Sequence, residues 1–150
     1  MRVQELLDRK ASNAIHTVAP EASVFDAVTA MVHHNVGAML VVQNEALVGI
    51  ITERDYLKLV TVKGRTARDT AVSDVMTRAV IYLTTESTLE EAMAICTEKR
   101  IRHLPVLKDE KVVGVLSIGD LVSAMAHKRE MRIRTLEAYI ADEYPGPSNP

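Results

Sequence analysis

Val48-Gly49-Ile50-Ile51-Thr52-Glu53-Arg54-Asp55 is echoed by Val113-Gly114-Val115-Leu116-Ser117-Ile118-Gly119-Asp120, 65 residues further on. The register continues upstream without a gap, pairing Val41 with Val106, Ala27 with Ala92, Val24 with Leu89 and Glu21 with Glu86. Further upstream, Val72-Ser73-Asp74-Val75-Met76 echoes Val3-Gln4-Glu5-Leu6-Leu7, with a few extra residues in the linker. One such pair arises easily by chance, but a matched apolar pattern over this span does not. The chain is a tandem repeat.

Both copies read as the same unit. Ser23 precedes Val24, Ala27, Val28, Met31 and Val32, the spacing of one buried helix face. Its counterpart opens on Thr88-Leu89-Glu90-Glu91, a capping-box pattern, and buries Leu89, Ala92, Met93 and Cys96. Two short β-branched runs follow, Met39 to Val42 and Leu47 to Ile51, separated by the polar turn Gln43-Asn44-Glu45-Ala46. The second copy repeats them as Leu104 to Leu107 and Val112 to Leu116 around Lys108-Asp109-Glu110-Lys111. These read as hairpin-like strand pairs, and their continuous apolar character predicts helices on both faces. A second helix begins near Thr52 and near Ser117, and a short strand is expected at Ile15 to Val18 and at Val80 to Leu83. The fold class is therefore α/β, of mixed α+β type, with a β-α-β-β-α unit used twice.

The polar stretch from Lys63 to Thr70 is the natural linker. The reading places the first copy, with N-terminal segment and linker, at 1–71 and the second at 72–127, leaving a helical extension and disordered tail over 128–150. Half of 150 residues is too little to close a good core alone, so the copies should pack as one body. The last helix is expected to run through Met125 to about Ala141, with Ile133, Leu136 and Ile140 on one stripe.

Composition excludes several classes. A net charge of −2 and 3% aromatic residues provide neither the field nor the stacking surface of a nucleic-acid binder. The longest apolar run, Val36 to Val42, is too short to span a bilayer, and the first residues lack a signal peptide's apolar stretch. The single cysteine, Cys96, cannot form an internal disulfide, which fits a reducing, cytoplasmic setting.

The feature that can carry chemistry is Gly-x-x-[Thr/Ser]-x-x-Asp at a strand-to-helix junction, present twice. One reading is helix capping, with Thr52 or Ser117 as N-cap and the acid three residues on returning the bond. The other uses the same geometry for a ligand. A helix N-terminus and a hydroxyl receive phosphate, and an aspartate accepts the two hydroxyls of a ribose. On that reading Gly49 and Gly114 let backbone or ligand approach closely. Two copies point to two nucleotide-sized clefts.

These segments, with Val75-Met76-Thr77 and Arg102-His103-Leu104-Pro105-Val106, resemble the CBS (cystathionine-β-synthase) motif, here as the tandem pair called a Bateman module. The resemblance covers roughly Val3 to Met125. It implies a pseudo-twofold pair with two clefts that sense AMP, ADP, ATP, NAD or S-adenosylmethionine, and a homodimer built through helices. By the same resemblance Thr52 and Ser117 contact phosphate, Asp55 and Asp120 hold ribose hydroxyls, and Thr17 and Tyr82 line the base pockets. Arg102 and His103 reach phosphate in the second cleft, with Met39 and Pro105 on the neighbouring strands. Gly37 and Ala38 replace that charged pair in the first copy, leaving Arg54 as its only equivalent charge. Unequal clefts follow, with AMP expected in the second and a different adenine nucleotide, such as a dinucleotide, in the first.

The remaining candidates read as structure. His33-His34 point about 100° apart on a helix and do not converge on a metal. Cys96 and Met31, Met39, Met93 and Met125 read as core, and the Lys128 to Arg134 run as a solvated face. The Ile133, Leu136, Ile140 stripe has no equivalent in the first copy and is expected to meet a dimer mate or partner protein. No catalytic constellation accompanies the motif. The expected function is a non-catalytic regulatory module acting on an unknown partner. The alternatives are a ligand-free dimerisation adaptor and, more weakly, a nucleotide-hydrolysing enzyme.

Overall fold

The computed structural model describes residues 1–143; the 144–150 tail, expected to be disordered, lies outside the described residues. In chain order the elements are α1 (Val3–Arg9), β1 (Thr17–Val18), α2 (Val24–His34), β2 (Ala38–Gln43), β3 (Ala46–Thr52) and α3 (Glu53–Thr61). A single 3₁₀ turn over Val72–Asp74 leads to β4 (Leu83–Thr84), α4 (Leu89–Lys99), β5 (His103–Lys108), β6 (Lys111–Ser117) and α5 (Ile118–Glu143). The strands form two three-stranded sheets, β1-β2-β3 and β4-β5-β6, each with one parallel and one antiparallel pairing. Leu40 faces Ile50 in one and Pro105 faces Val115 in the other, and each hairpin carries an irregularity at the same place. The two copies are superimposable in register as well as in sequence.

Local chemistry explains the elements. Ser23 Oγ accepts from the Asp26 amide at 3.0 Å to start α2. Thr88 and Glu91 exchange bonds of 2.8 and 3.1 Å to start α4. Asn35 and Arg100, both left-handed, end these helices. The hairpins turn on Asn44-Glu45 and Asp109-Glu110, each with both residues at positive φ, the tight connection that matches strand twist.

Three expectations need correction. Met125, expected in the core, is 46% exposed, because it shares the outward stripe of α5 with Val122. Val32 is 77% exposed while Val24, Ala27 and Met31 are buried. Eight residues beyond Val24 the helix has rotated about 80° away from the buried face, whereas Met31 stays within about 20° of it. The first strands are only two residues long, because the chain upstream of Thr17 and Leu83 turns away to line the clefts.

The leader segments pack crosswise. Val3, Leu6 and Leu7 of α1 are buried with Leu83, Leu89, Cys96, Leu104 and Leu116 of the second copy. Val72 and Met76 are buried with Val24, Ala27, Met31, Val41 and Ile51 of the first. The backbone repeats this exchange: Val3 N donates to Ser87 O at 2.8 Å, and Val72 N to Ala22 O at 2.8 Å. The linker is pinned as well, with the Arg68 guanidinium 3.8 Å over the Phe25 ring and Thr70 buried. Each core thus contains a segment that precedes the other copy's first strand, which fuses the copies into one body.

Candidate functional site

Both hydroxyl–acid pairs stand at helix starts. Thr52 N and Oγ1 donate to Asp55 Oδ2 at 2.8 and 3.2 Å, and the Asp55 amide returns a bond to Thr52 Oγ1 at 3.4 Å. Ser117 and Asp120 repeat the arrangement at 2.7, 3.0 and 3.2 Å. The capping reading is therefore correct in both copies. It does not use up the aspartates, because every bond that reaches their carboxylates goes to Oδ2. Each Oδ1 remains free to accept from a ligand hydroxyl.

Above each pair lies a cleft walled by the other copy. Thr52 and Asp55 share a cavity of about 690 Å³ with Ala79, Val80 and Ile81, which precede β4, and with Arg100 to His103, which join α4 to β5. Ser117 and Asp120 share one of about 350 Å³ with Lys10, Ala14 and His16, which precede β1, and with Asn35 to Ala38, which join α2 to β2. Gly37, Ile50, His103 and Ser117 line both, so the clefts adjoin. We call them the Asp55 and the Asp120 cleft.

Their electrostatics differ. Lys10 Nζ donates to Asp120 Oδ2 at 3.0 Å and to Val115 O at 2.8 Å. Burial alone would raise the Asp120 carboxyl, but the Ser117 amide and the Lys10 ammonium outweigh it and hold the group below the usual carboxylate range. At the position equivalent to Val115, Ile50 O accepts instead from the Thr77 backbone N–H at 2.9 Å. His103 stands between the clefts. Burial pushes its imidazole below the usual range, with Glu53 opposing, Arg102 assisting and Asp120 opposing. A Cβ on Gly37 would come within 2.8 Å of Glu53 Oε1 and 3.2 Å of His103 Nε2, so this crossing point has no room for a larger residue.

Among the residues expected at the site, Thr52, Arg54, Asp55, Arg102, His103, Ser117 and Asp120 line a cleft. Arg102 does so in the Asp55 cleft, which Ser117 also reaches but Asp120 does not, because each α-to-β loop serves the opposite copy's helix start. Thr17 and Tyr82 line neither; Thr17 is exposed and Tyr82 is 53% exposed. His16 and Ile81, one residue upstream, take the walls, since neighbours in extended chain face opposite ways. Met39 is buried in the first copy's core and Pro105 is buried on β5, and neither reaches a cleft wall. Gly49 and Gly114 admit protein rather than ligand: a Cβ there would meet Met76 Sδ at 2.6 Å and Leu7 Cδ2 at 2.7 Å.

Lys10, His16, Asn35, Lys58 and Arg100 were not anticipated. The repeat offset offered a signal for two of them, since Asn35 and Arg100 occupy equivalent helix ends. His16 and His34 stack at 3.9 Å and His33 meets His34 edge-on at 4.9 Å. No group of three or more metal-ligating side chains exists among the described residues.

The family model for the CBS domain matches residues 3–62 and 72–127. The chain is a CBS-domain protein. Its two matched segments are the two copies, so it is a Bateman-type CBS pair. It is 46% identical over 127 residues to the mitochondrial CBS domain-containing protein CBSX3 of Arabidopsis thaliana, covering 81% of this chain and 62% of that one. The chain thus spans less than two thirds of that relative's length. The CBS-domain crystal structure NE2398 superimposes with a TM-score of 0.79 at 44% identity, covering 84% of this chain and 98% of that one. CBSX2, solved in complex with AMP, superimposes with a TM-score of 0.71 at 27% identity, covering 85% and 98%. No described helix is long and apolar enough to cross a membrane.

Proposed function

We propose that this CBS pair is a non-catalytic regulatory module that binds adenine nucleotides in its two clefts and passes their occupancy to a partner protein. The observation that carries the reading is the doubled helix start, where Oδ2 of Asp55 or Asp120 caps the helix, Oδ1 is left out of the cap, and the residue lines a cleft. Ribose hydroxyls donate to Oδ1, while the Thr52 or Ser117 hydroxyl and the helix N-terminus take phosphate. Ile81 and Val80, or Ala14 and His16, wall the base. The AMP complex of CBSX2 supports this ligand class; ADP, ATP and NAD share the adenosine group.

The mechanism is linkage. A nucleotide touches the helix start of one copy and the walls of the other, so binding favours one arrangement of the copies and shifts affinity for whatever docks outside. The outer surface offers α5. Val122, Met125, Ile133, Leu136 and Ile140 lie along one stripe of it and are each 46 to 63% exposed. On α3, Leu57 and Val60, equivalent to Val122 and Met125, are also exposed. Lys128, Arg129, Arg132 and Arg134 precede Glu137 and Asp142, a polarity that pairs antiparallel with a second copy of α5. A homodimer through these helices is the arrangement we favour. The buried free Cys96 supports a reducing compartment such as the cytoplasm.

Thermal denaturation with AMP, ADP, ATP, NAD or S-adenosylmethionine tests the reading. A ligand at a hundred times its dissociation constant stabilises by about 2.7 kcal/mol. Absence of any shift across the panel favours a ligand-free dimerisation adaptor, which the complete capping boxes and the exposed α5 stripe also accommodate.

A further inference from the structure

The two clefts share one plan and differ in charge. Five cations, Arg54, Lys58, Lys99, Arg100 and Arg102, line the Asp55 cleft against the carboxylates of Glu53 and Asp55. Arg54, Lys58, Arg100 and Arg102 form no ion pair among the described residues, and all four side chains are exposed at the mouth. Arg54 leans only on the Arg100 carbonyl, at 3.5 Å. These groups come from both copies, Arg54 and Lys58 from α3, Arg100 and Arg102 from the far wall. Anionic oxygens entering beyond the Thr52 hydroxyl meet charge from two sides.

The Asp120 cleft reverses this. Its one lysine, Lys10, is committed to Asp120 and to the Val115 carbonyl. Gly119 stands where the other copy has Arg54, and Gly37 where the other has Arg102. The cavity is also about 350 Å³ against about 690 Å³. His16, Asn35 and His103 supply polar contacts without adding a fixed positive charge.

We infer that the clefts sort adenosine ligands by phosphate number: the Asp55 cleft takes a nucleoside di- or triphosphate, and the Asp120 cleft takes a nucleoside carrying at most one phosphate. This rests on the nucleotide-binding reading above and assigns each ligand class to a cleft. The cause is electrostatic. Each added phosphate gains charge-assisted bonds from free guanidinium and ammonium groups in the Asp55 cleft. In the Asp120 cleft it finds a single cation whose charge is already neutralised.

Calorimetric titration of the full chain with ATP and with AMP, without divalent cations, tests the assignment. In Arg54→Ala/Arg102→Ala, ATP affinity falls about tenfold or more and AMP binding at the Asp120 cleft is retained. Both side chains are exposed and neither takes part in a helix start, Arg54 making only the 3.5 Å bond to the Arg100 carbonyl, so this variant leaves both capping boxes intact. Asp55→Asn abolishes ATP binding and spares AMP, and Asp120→Asn does the converse. Raising salt weakens ATP binding more than AMP binding. ATP binding that follows Asp120, or that is untouched by the double arginine substitution, overturns the assignment while leaving nucleotide sensing intact. No heat with either nucleotide overturns both.

Discussion

Lys10 Nζ lies 3.0 Å from Asp120 Oδ2 and 2.8 Å from Val115 O, tying the end of α1 to the first turn of α5. The pair is roughly a quarter exposed and sits inside the smaller cleft. It has no equivalent in the other copy, where the Thr77 backbone N–H serves the corresponding carbonyl. One lysine thus makes the α1 leader part of a binding wall as well as part of a core.

Lys10→Met keeps most of the stem and removes the charge. The Asp120 carboxyl lies below its ordinary value of 3.8 in the folded protein, so its contribution to stability is present above that value and lost as pH falls through the folded one. Because both groups are partly exposed, the variant is less stable than wild type by about 1 kcal/mol or less at neutral pH. Denaturant melts across the acid range should show that difference shrinking below pH 3.8.

The two glycines predict unequal costs. A Cβ on Gly49 would meet Met76 Sδ at 2.6 Å and the Thr77 backbone oxygen at 3.0 Å, and the backbone cannot retreat without breaking its bonds to Ile50. The nearest atoms that a Cβ on Gly114 would meet all belong to the Leu7 side chain. Gly49→Ala should cost about 1–3 kcal/mol, as overpacking does, and Gly114→Ala distinctly less. Equilibrium unfolding of both variants checks the order.

Crosswise packing predicts a crossed response. Leu7 is 3% exposed in the second copy's core. Leu7→Ala should destabilise by about 2–5 kcal/mol. By hydrogen exchange the added opening should be largest in α4 and β5, far along the chain, and smaller in α2 and β2.

His103 should titrate below 6.5, because burial disfavours its charged form. The unfolded chain then takes up a proton before the folded one does. Stability therefore falls as pH drops through 6.5 and levels off once the folded group also titrates. The imidazole resonances locate the folded midpoint, and His103→Asn should flatten that part of the stability profile.

The repeat made the fold legible. The 65-residue offset places both hairpins, both first helices and both hydroxyl–acid pairs, since apolar runs, polar turns and capping patterns depend on neighbouring residues. What the pattern did not carry was which copy each segment serves. Arg102 belongs to the same copy as Asp120 in sequence and to Asp55 in space. Leu7 precedes the first copy and packs in the second. Such crossings arise from tertiary packing, to which local periodicity is blind. The displacement of Thr17 and Tyr82 from the walls is a one-residue matter, decided by where two-residue strands begin.

Hydrogen–deuterium exchange with and without saturating AMP and ATP tests the central claim most directly. The account predicts that nucleotide slows exchange together at a helix start of one copy and at the opposing wall of the other. Those paired regions are Thr52 to Asp55 with 77–81 and 100–103, and Ser117 to Asp120 with 10–16 and 35–38. Unchanged exchange at both helix starts, or protection confined to one copy, would contradict it.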